Sequence, residues 1–157
     1  MDINNLTSSD VKYLIESLKH PSKPFSINDI RNKLISLNLE RIKENSIVVG
    51  ESDGIEYILH VFVSSTYYLQ KRYSIHLRLK SNNEQIVRVD VGQGHHNPDG
   101  YPDTRNSDHI HIYNPDIVPH DKIAFPLSQI KFPNVNNIVE AFDSFLEYTN
   151  IKNKGGS

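Results

Sequence analysis

His95, His96, His109 and His111 crowd into one short stretch of the chain, with Asp90 and Asp108 close by. Imidazole exchanges a proton near neutrality, and its unprotonated nitrogen is a common ligand for zinc and related divalent metals. Three chemistries fit these residues. In the first, His95, His96, His109 and His111 with Asp90 or Asp108 supply nitrogen and oxygen ligands to a metal such as zinc. No helical His-Glu-x-x-His motif or other zinc signature accompanies them, and solvent-facing stacked histidines are the plain alternative. In the second, His109 or His111 moves a proton, Arg78 or Arg88 holds a phosphate and Tyr113 donates a hydrogen bond, as in RNA cleavage. In the third, the same groups contact a protein partner, with arginine and tyrosine as the anchors.

Charge weighs against the second. The 157 residues carry 17 Lys and Arg against 19 Asp and Glu, a formal net charge of -2. No global basic field exists to drive nucleic-acid binding. Direct nucleic-acid binding is therefore not expected, and it would need a local patch.

The elements that position these side chains are strands. β-branched and aromatic residues dominate the middle of the chain, and strands are expected at Ser46–Gly50, Ile55–Ser64, Arg72–Lys80, Gln85–Gly92 and Asp108–Tyr113. Turn signals at Ser52-Asp53-Gly54 and Ser81-Asn82-Asn83 imply antiparallel neighbours. Side chains alternate across a strand, so Tyr73, Ile75, Leu77 and Leu79 face one way while Ser74, His76, Arg78 and Lys80 face the other. Val87, Val89 and Val91 oppose Arg88 and Asp90, and Ile110 and Ile112 oppose His109, His111 and Tyr113. A meander then gathers His76, Arg78, Arg88, Asp90, His109, His111 and Tyr113 on one surface. Arg88 and Asp90 can pair with each other there without any functional role. The loop Gly92 to Pro102 folds over the end of the sheet and brings His95, His96, Asp99 and Tyr101 to the same region. Within it Asn97-Pro98-Asp99-Gly100 reads as a turn with proline second and glycine fourth. Gly92 and Gly94 are not followed by a helix and make no phosphate loop. His60 is expected to be a satisfied packing residue in a core strand, and Tyr67-Tyr68 with Gln70-Lys71-Arg72 a solvated turn.

The remaining elements cover the apolar face. Val11, Leu14, Ile15 and Leu18 predict a helix from Ser9 to Lys19, stopped by Pro21. Ser26 and Asp29 read as a capping box opening a second helix with its stripe at Ile27, Ile30, Leu34 and Leu37. Residues 38–45 fit helix or strand equally. Four prolines leave Asn114 to Phe132 mostly irregular, with at most an edge strand near Ile123. A last helix follows the candidate cap Asn134, carrying Val135, Ile138, Val139, Phe142, Phe145 and Leu146 on one face. The fold class is thus α+β: a single antiparallel meander of about five strands, with N-terminal helices and a C-terminal helix on its apolar face. One domain spans 1–154, and 155–157 form a disordered or appended linker tail. The chain has no cysteine, so disulfides and thiolate metal sites are excluded. With no apolar run of membrane-spanning length and no secretory signal, a soluble cytoplasmic protein is expected.

Arg88-Val89-Asp90, Gly94-His95-His96-Asn97-Pro98-Asp99-Gly100 and His109-Ile110-His111-Ile112-Tyr113, in that order, resemble an uncharacterised family of small proteins of low-GC Gram-positive bacteria and their prophages. The similarity runs from about Tyr57 to Ile151 and includes Ala124-Phe125-Pro126-Leu127. The resemblance implies a fold and a genetic setting, and no catalytic residues. Small proteins of such elements include inhibitors of host defence. The expected function is therefore stoichiometric, non-enzymatic inhibition of a protein partner such as an RNA-guided CRISPR nuclease. Its contacts would be His76, Arg78, Arg88, Asp90, His95, His96, Asp99, Tyr101, His109, His111 and Tyr113. No cofactor is expected on that reading; a divalent metal such as zinc belongs to the alternative, a metal-binding hydrolase or ribonuclease.

Overall fold

The computed structural model describes residues 1–36, 41–65, 72–130, 132 and 137–153. Its order is α1 (Ser8–Glu16), β1 (Lys19–Pro21), α2 (Ser26–Ile35), β2 (Ile42–Gly50), β3 (Glu56–Ser65), β4 (Arg72–Leu79), β5 (Gln85–Val91), β6 (His109–Ile112), β7 (Ala124–Pro126) and α3 (Ile138–Tyr148). The strands form one open antiparallel sheet in chain order, β1 to β7. The sheet thus has seven strands among the described residues, not about five. Beyond the five are Lys-His-Pro, which was not expected, and Ala-Phe-Pro, where an edge strand near Ile123 was; both are three-residue edge strands. Both end on proline, which an edge tolerates because its missing N–H leaves no ladder partner unsatisfied.

The helices lie on the face that carries Tyr57, Leu59, Ile75, Leu77, Val89 and Ile110, all fully buried. Val11, Leu14 and Ile15 of α1, Ile27, Ile30 and Leu34 of α2, and Phe142 and Phe145 of α3 complete the core. α1 begins at a capping box made by Thr7 and Asp10, each side chain bonding the other's backbone N–H at 3.1 and 3.0 Å. The box expected at Ser26 and Asp29 does not form. Phe25 is the residue before α2, with φ 67°, and the Ser26 hydroxyl instead bonds Ser46 Oγ at 2.8 Å. α3 is capped by Asn137, which accepts from Glu140 N at 2.9 Å. The expected cap Asn134, its neighbour Val135, and Leu37, Tyr67, Tyr68, Gln70 and Lys71 lie outside the described residues, as does the tail 155–157. The ambiguous stretch 38–45 resolves as strand from Ile42 onward.

The first helix ends three residues earlier than its apolar spacing suggested, and Lys19 shows why. Its ammonium is buried and donates to Ile15 O at 3.0 Å, Ser17 O at 2.7 Å and Thr149 O at 2.8 Å. All three N–H donors are used on carbonyls at the C-terminal ends of α1 and α3, where a cation also opposes the helix dipoles. Lys19 is therefore drawn out of the helix into an edge strand that ties two helices to the sheet. Replacing it by methionine strands three carbonyl acceptors. Lys19→Met should lower unfolding free energy by about 3 kcal/mol in urea titration, whereas an unchanged midpoint would show that water reaches those carbonyls.

Candidate functional site

The polar face is built in cross-strand rows. One row runs Asn45, His60, His76, Arg88, His111 and Ala124 across β2 to β7, and the next runs Lys43, Phe62, Ser74, Asp90, His109 and Pro126. His76, Arg88 and His111 are thus direct neighbours, as alternation alone implied. A one-residue bulge in β5 then sets Arg78 opposite Gln85. His60 belongs to this face and not to the core. It is half-buried, hydrogen-bonds Asn45 Oδ1 through Nδ1, and stacks on His76 with ring centroids 4.8 Å apart. Its apolar sequence neighbours face the other side, and only the register reveals the difference.

The face has two halves. Over β5 to β7 it is roofed by the segments 93–108 and 114–123, so His109 and His111 are each 1% exposed and Asp90 6%. Two donors and a third ring nitrogen converge there on one carboxylate oxygen. Asp90 Oδ2 lies 3.1 Å from Arg88 Nε, 3.2 Å from His109 Nε2 and 3.3 Å from His111 Nε2. Each imidazole is oriented from behind by a carbonyl: His109 Nδ1 donates to Ser107 O at 2.9 Å and His111 Nδ1 to Asp121 O at 2.7 Å. With Nδ1 carrying a proton, the His111 Nε2 atom is buried, points at the cluster and has no hydrogen-bond partner. Its line to Asp90 is short but poorly directed. Half-buried His95 abuts both rings, at 5.8 Å from His109 and 4.7 Å from His111, and bonds Lys122 O through Nε2 at 2.7 Å.

Electrostatics follow from this packing. Burial works against a charged Asp90, yet the hydrogen bond from His109 and the Arg88 charge hold its carboxyl below the usual carboxylate range. Burial likewise works against His109, but Asp90 and the Ser107 carbonyl leave its imidazole raised. His95 is lowered, chiefly by burial and then by His111. Arg88 also reaches Gln85 Oε1 at 2.9 Å and Asp121 at 3.6 Å, so the pairing read from the sequence is one strand of a wider network.

The roof is held by a residue that sequence reasoning placed only in a turn. Asn97 donates to Pro102 O and Ala124 O, both at 2.8 Å, and accepts from Ala124 N at 2.9 Å. Its amide takes the place of a further strand on the outer edge of β7. The turn itself is shifted by one residue from the expected frame: Tyr101 N bonds Pro98 O, which makes proline first and puts Gly100, φ 91°, third. Gly94 packs directly on Arg105, whose carbonyl would lie 1.9 Å from an added Cβ. His96, Asp99 and Tyr101 remain exposed on the loop. Tyr113 turns away from the cluster, stacking on His120 at 4.4 Å and lining a groove beside α1.

Over β2 to β4 the face is open. His76 accepts from Arg78 Nη1 at 2.7 Å through Nε2, so that nitrogen carries no proton. Burial, then His60, Arg78 and Arg88, pull His76 down to about 3 against the opposing pull of Asp90. An unfolded chain takes up this proton near 6.5 and the folded one only near 3, so stability falls as pH drops through that interval. His76→Gln should therefore lose less stability than the parent between about pH 7 and pH 4.5 in urea titrations. Parallel losses in both proteins would remove His76 as the source.

No helix of the described chain is long and apolar enough to cross a membrane. No curated protein and no solved structure matches the chain. Residues 6–151 match the family described as Family of unknown function (DUF6978), which includes both N-terminal helices, every strand and α3. The protein belongs to that family.

Proposed function

We propose that the protein is a binding module organised around a buried divalent-metal centre of the zinc class, with Asp90, His109 and His111 as ligands. The observation that carries this reading is the His111 Nε2 atom: buried, 3.3 Å from Asp90 Oδ2, grouped with His109, and without a hydrogen-bond partner. Two further features support it. Zn–N and Zn–O bonds of about 2.0–2.2 Å imply tetrahedral ligand–ligand edges of roughly 3.3–3.5 Å, against 3.2 and 3.3 Å from Asp90 Oδ2 to the two imidazole nitrogens. Both rings also donate Nδ1–H to a backbone carbonyl, the outer contact that commonly fixes a metal-binding histidine with Nε2 facing the ion. The metal would replace the proton shared between His109 and Asp90. Arg88 stays on the carboxylate, which has lone pairs for both.

Burial of the ligands favours a metal that fastens the roof of the site over one that meets substrate, since His109 and His111 are 1% exposed. The exposed His96, Asp99 and Tyr101, carried on the loop that Asn97 pins, favour a protein partner at that end of the molecule. Stoichiometric inhibition of a host defence nuclease, in the prophage setting that the sequence resemblance implies, is the form of this reading that names a partner.

Untagged, chelator-stripped protein titrated with zinc should bind one equivalent by calorimetry, and its thermal midpoint should rise. Excess metal at about 100 times Kd would add about 2.7 kcal/mol. His111→Ala and Asp90→Asn should abolish the uptake, while His96→Ala should not. No heat and no thermal shift with zinc, cobalt or nickel would rule the centre out.

A further inference from the structure

The open half of the polar face carries a second feature, independent of the Asp90 centre. The whole chain is slightly acidic, yet the outer face of β2 to β4 is not. Lys80 is balanced by Glu56 at 3.5 Å. Lys43, Arg72 and Arg78 have no carboxylate partner among the described residues, and Arg78 bonds His76. Between these cations lie flat rings. Phe62 is 36% exposed on a sheet surface, and the His60–His76 stack sits one residue-pair further along β3 and β4. Phe62 lies between Lys43 and Ser74, His60 between Asn45 and His76, and Ile58 beside Arg78. All three helices pack on the opposite face.

From this alternation of cations lacking carboxylate partners with the exposed Phe62 ring and the half-buried His60 ring we infer that the outer face of β2 to β4 binds single-stranded nucleic acid, with Lys43, Arg72 and Arg78 taking phosphates and Phe62 and His60 stacking on bases. Charge complementarity names a polyanion, and the rings narrow it. A duplex offers phosphates but hides its base faces, whereas a single strand offers both at once, and stacking of a base on a sheet-borne ring contributes about 1–3 kcal/mol. Three strands spaced about 4.8 Å apart make a track roughly 10 Å wide, enough for one strand and narrow for a duplex. Sequence-level charge balance argued against nucleic-acid binding because it averages over the molecule. The register concentrates the positive groups that the average conceals.

The test is fluorescence anisotropy with the full chain, chelator-stripped and zinc-loaded. The probes are a labelled oligothymidylate and a labelled oligouridylate of about 12 nucleotides, inside the usual site size for such surfaces, and a duplex of equal length. Saturable binding is expected for the single strands in both metal states, at least about tenfold tighter than for the duplex. Lys43→Ala with Arg78→Ala should weaken it at least tenfold and flatten the dependence of log K on log salt by about 0.7 for each phosphate set free. Phe62→Leu, which keeps apolar bulk and removes the ring, should weaken it about fivefold or more with the salt slope unchanged. Thermal midpoints of the variants should stay near that of the parent, since these side chains stand on the outer face. Absence of saturable binding at low salt overturns the inference. So does equal affinity for duplex and single strand with Phe62→Leu silent, because that pattern belongs to a surface for acidic proteins or polyanions in general. Binding retained in the stripped protein separates this surface from the metal reading, whichever way the zinc titration falls.

Discussion

A carboxylate removed from water must be surrounded by donors, because an isolated buried charge is far less stable than a hydrated one. Asp90 meets that demand with Arg88 from its own strand and His109 from the next, both on one oxygen, with the His111 ring packed beside them. The consequences spread outward. The two imidazoles need their far nitrogens satisfied, and Ser107 and Asp121 supply carbonyls for that purpose. Those carbonyls belong to irregular chain, so the segments before β6 and before β7 must lie across the sheet. Asn97 then closes the edge they leave by pairing with both backbone groups of Ala124. The proline-rich stretch that has no periodicity of its own is thereby shaped by the polar cluster beneath it.

The same sheet face therefore carries two environments. Beneath the roof, polar groups are dry, tightly paired and arranged around a point. Over β2 to β4 they are wet, less paired and arranged along a track. Arg88 stands at the boundary, flanked by His76 on one side and His111 on the other. A face of this kind can hold an ion at one end and a ligand along the other without either occupying the other's space, and the helix-covered core on the opposite side supplies the rigidity that both need.

Much of this was legible in the residues. Period-two alternation in Tyr73 to Lys80, Gln85 to Val91 and His109 to Ile112 fixes which side chains share a face, because each strand must bury its apolar set against helices. The row His76, Arg88, His111 follows directly. What the alternation leaves open is depth: nothing in the order of residues says that a loop will cover His109 and His111 while leaving His76 in partial contact with solvent. His60 was misplaced because its neighbours in sequence are apolar, and its side of the sheet is set by pairing with Asn45 and His76. The first edge strand was hidden by its length, whereas the edge strand expected near Ile123 is β7; Lys19 was hidden by its type, since a lysine at the end of an amphipathic helix ordinarily points to water. Its three carbonyl acceptors come from two helices far apart in the chain. Thr7 with Asp10 and Ser26 with Asp29 present equivalent cap signals, and only the packing of Ser26 on Ser46 decides between them.

The central claim is that the Asp90 centre holds two imidazoles with Nδ1 tied to backbone carbonyls and Nε2 facing inward. Long-range proton–nitrogen correlation spectra of 15N-labelled, metal-free protein, repeated with one equivalent of zinc, test it most directly. The account predicts a protonated Nδ1 and an unprotonated Nε2 for His111 before metal, with the Nε2 resonances of both His109 and His111 shifting on addition while Nδ1 stays protonated. A His111 with its proton on Nε2, or spectra unaltered by zinc, would contradict it.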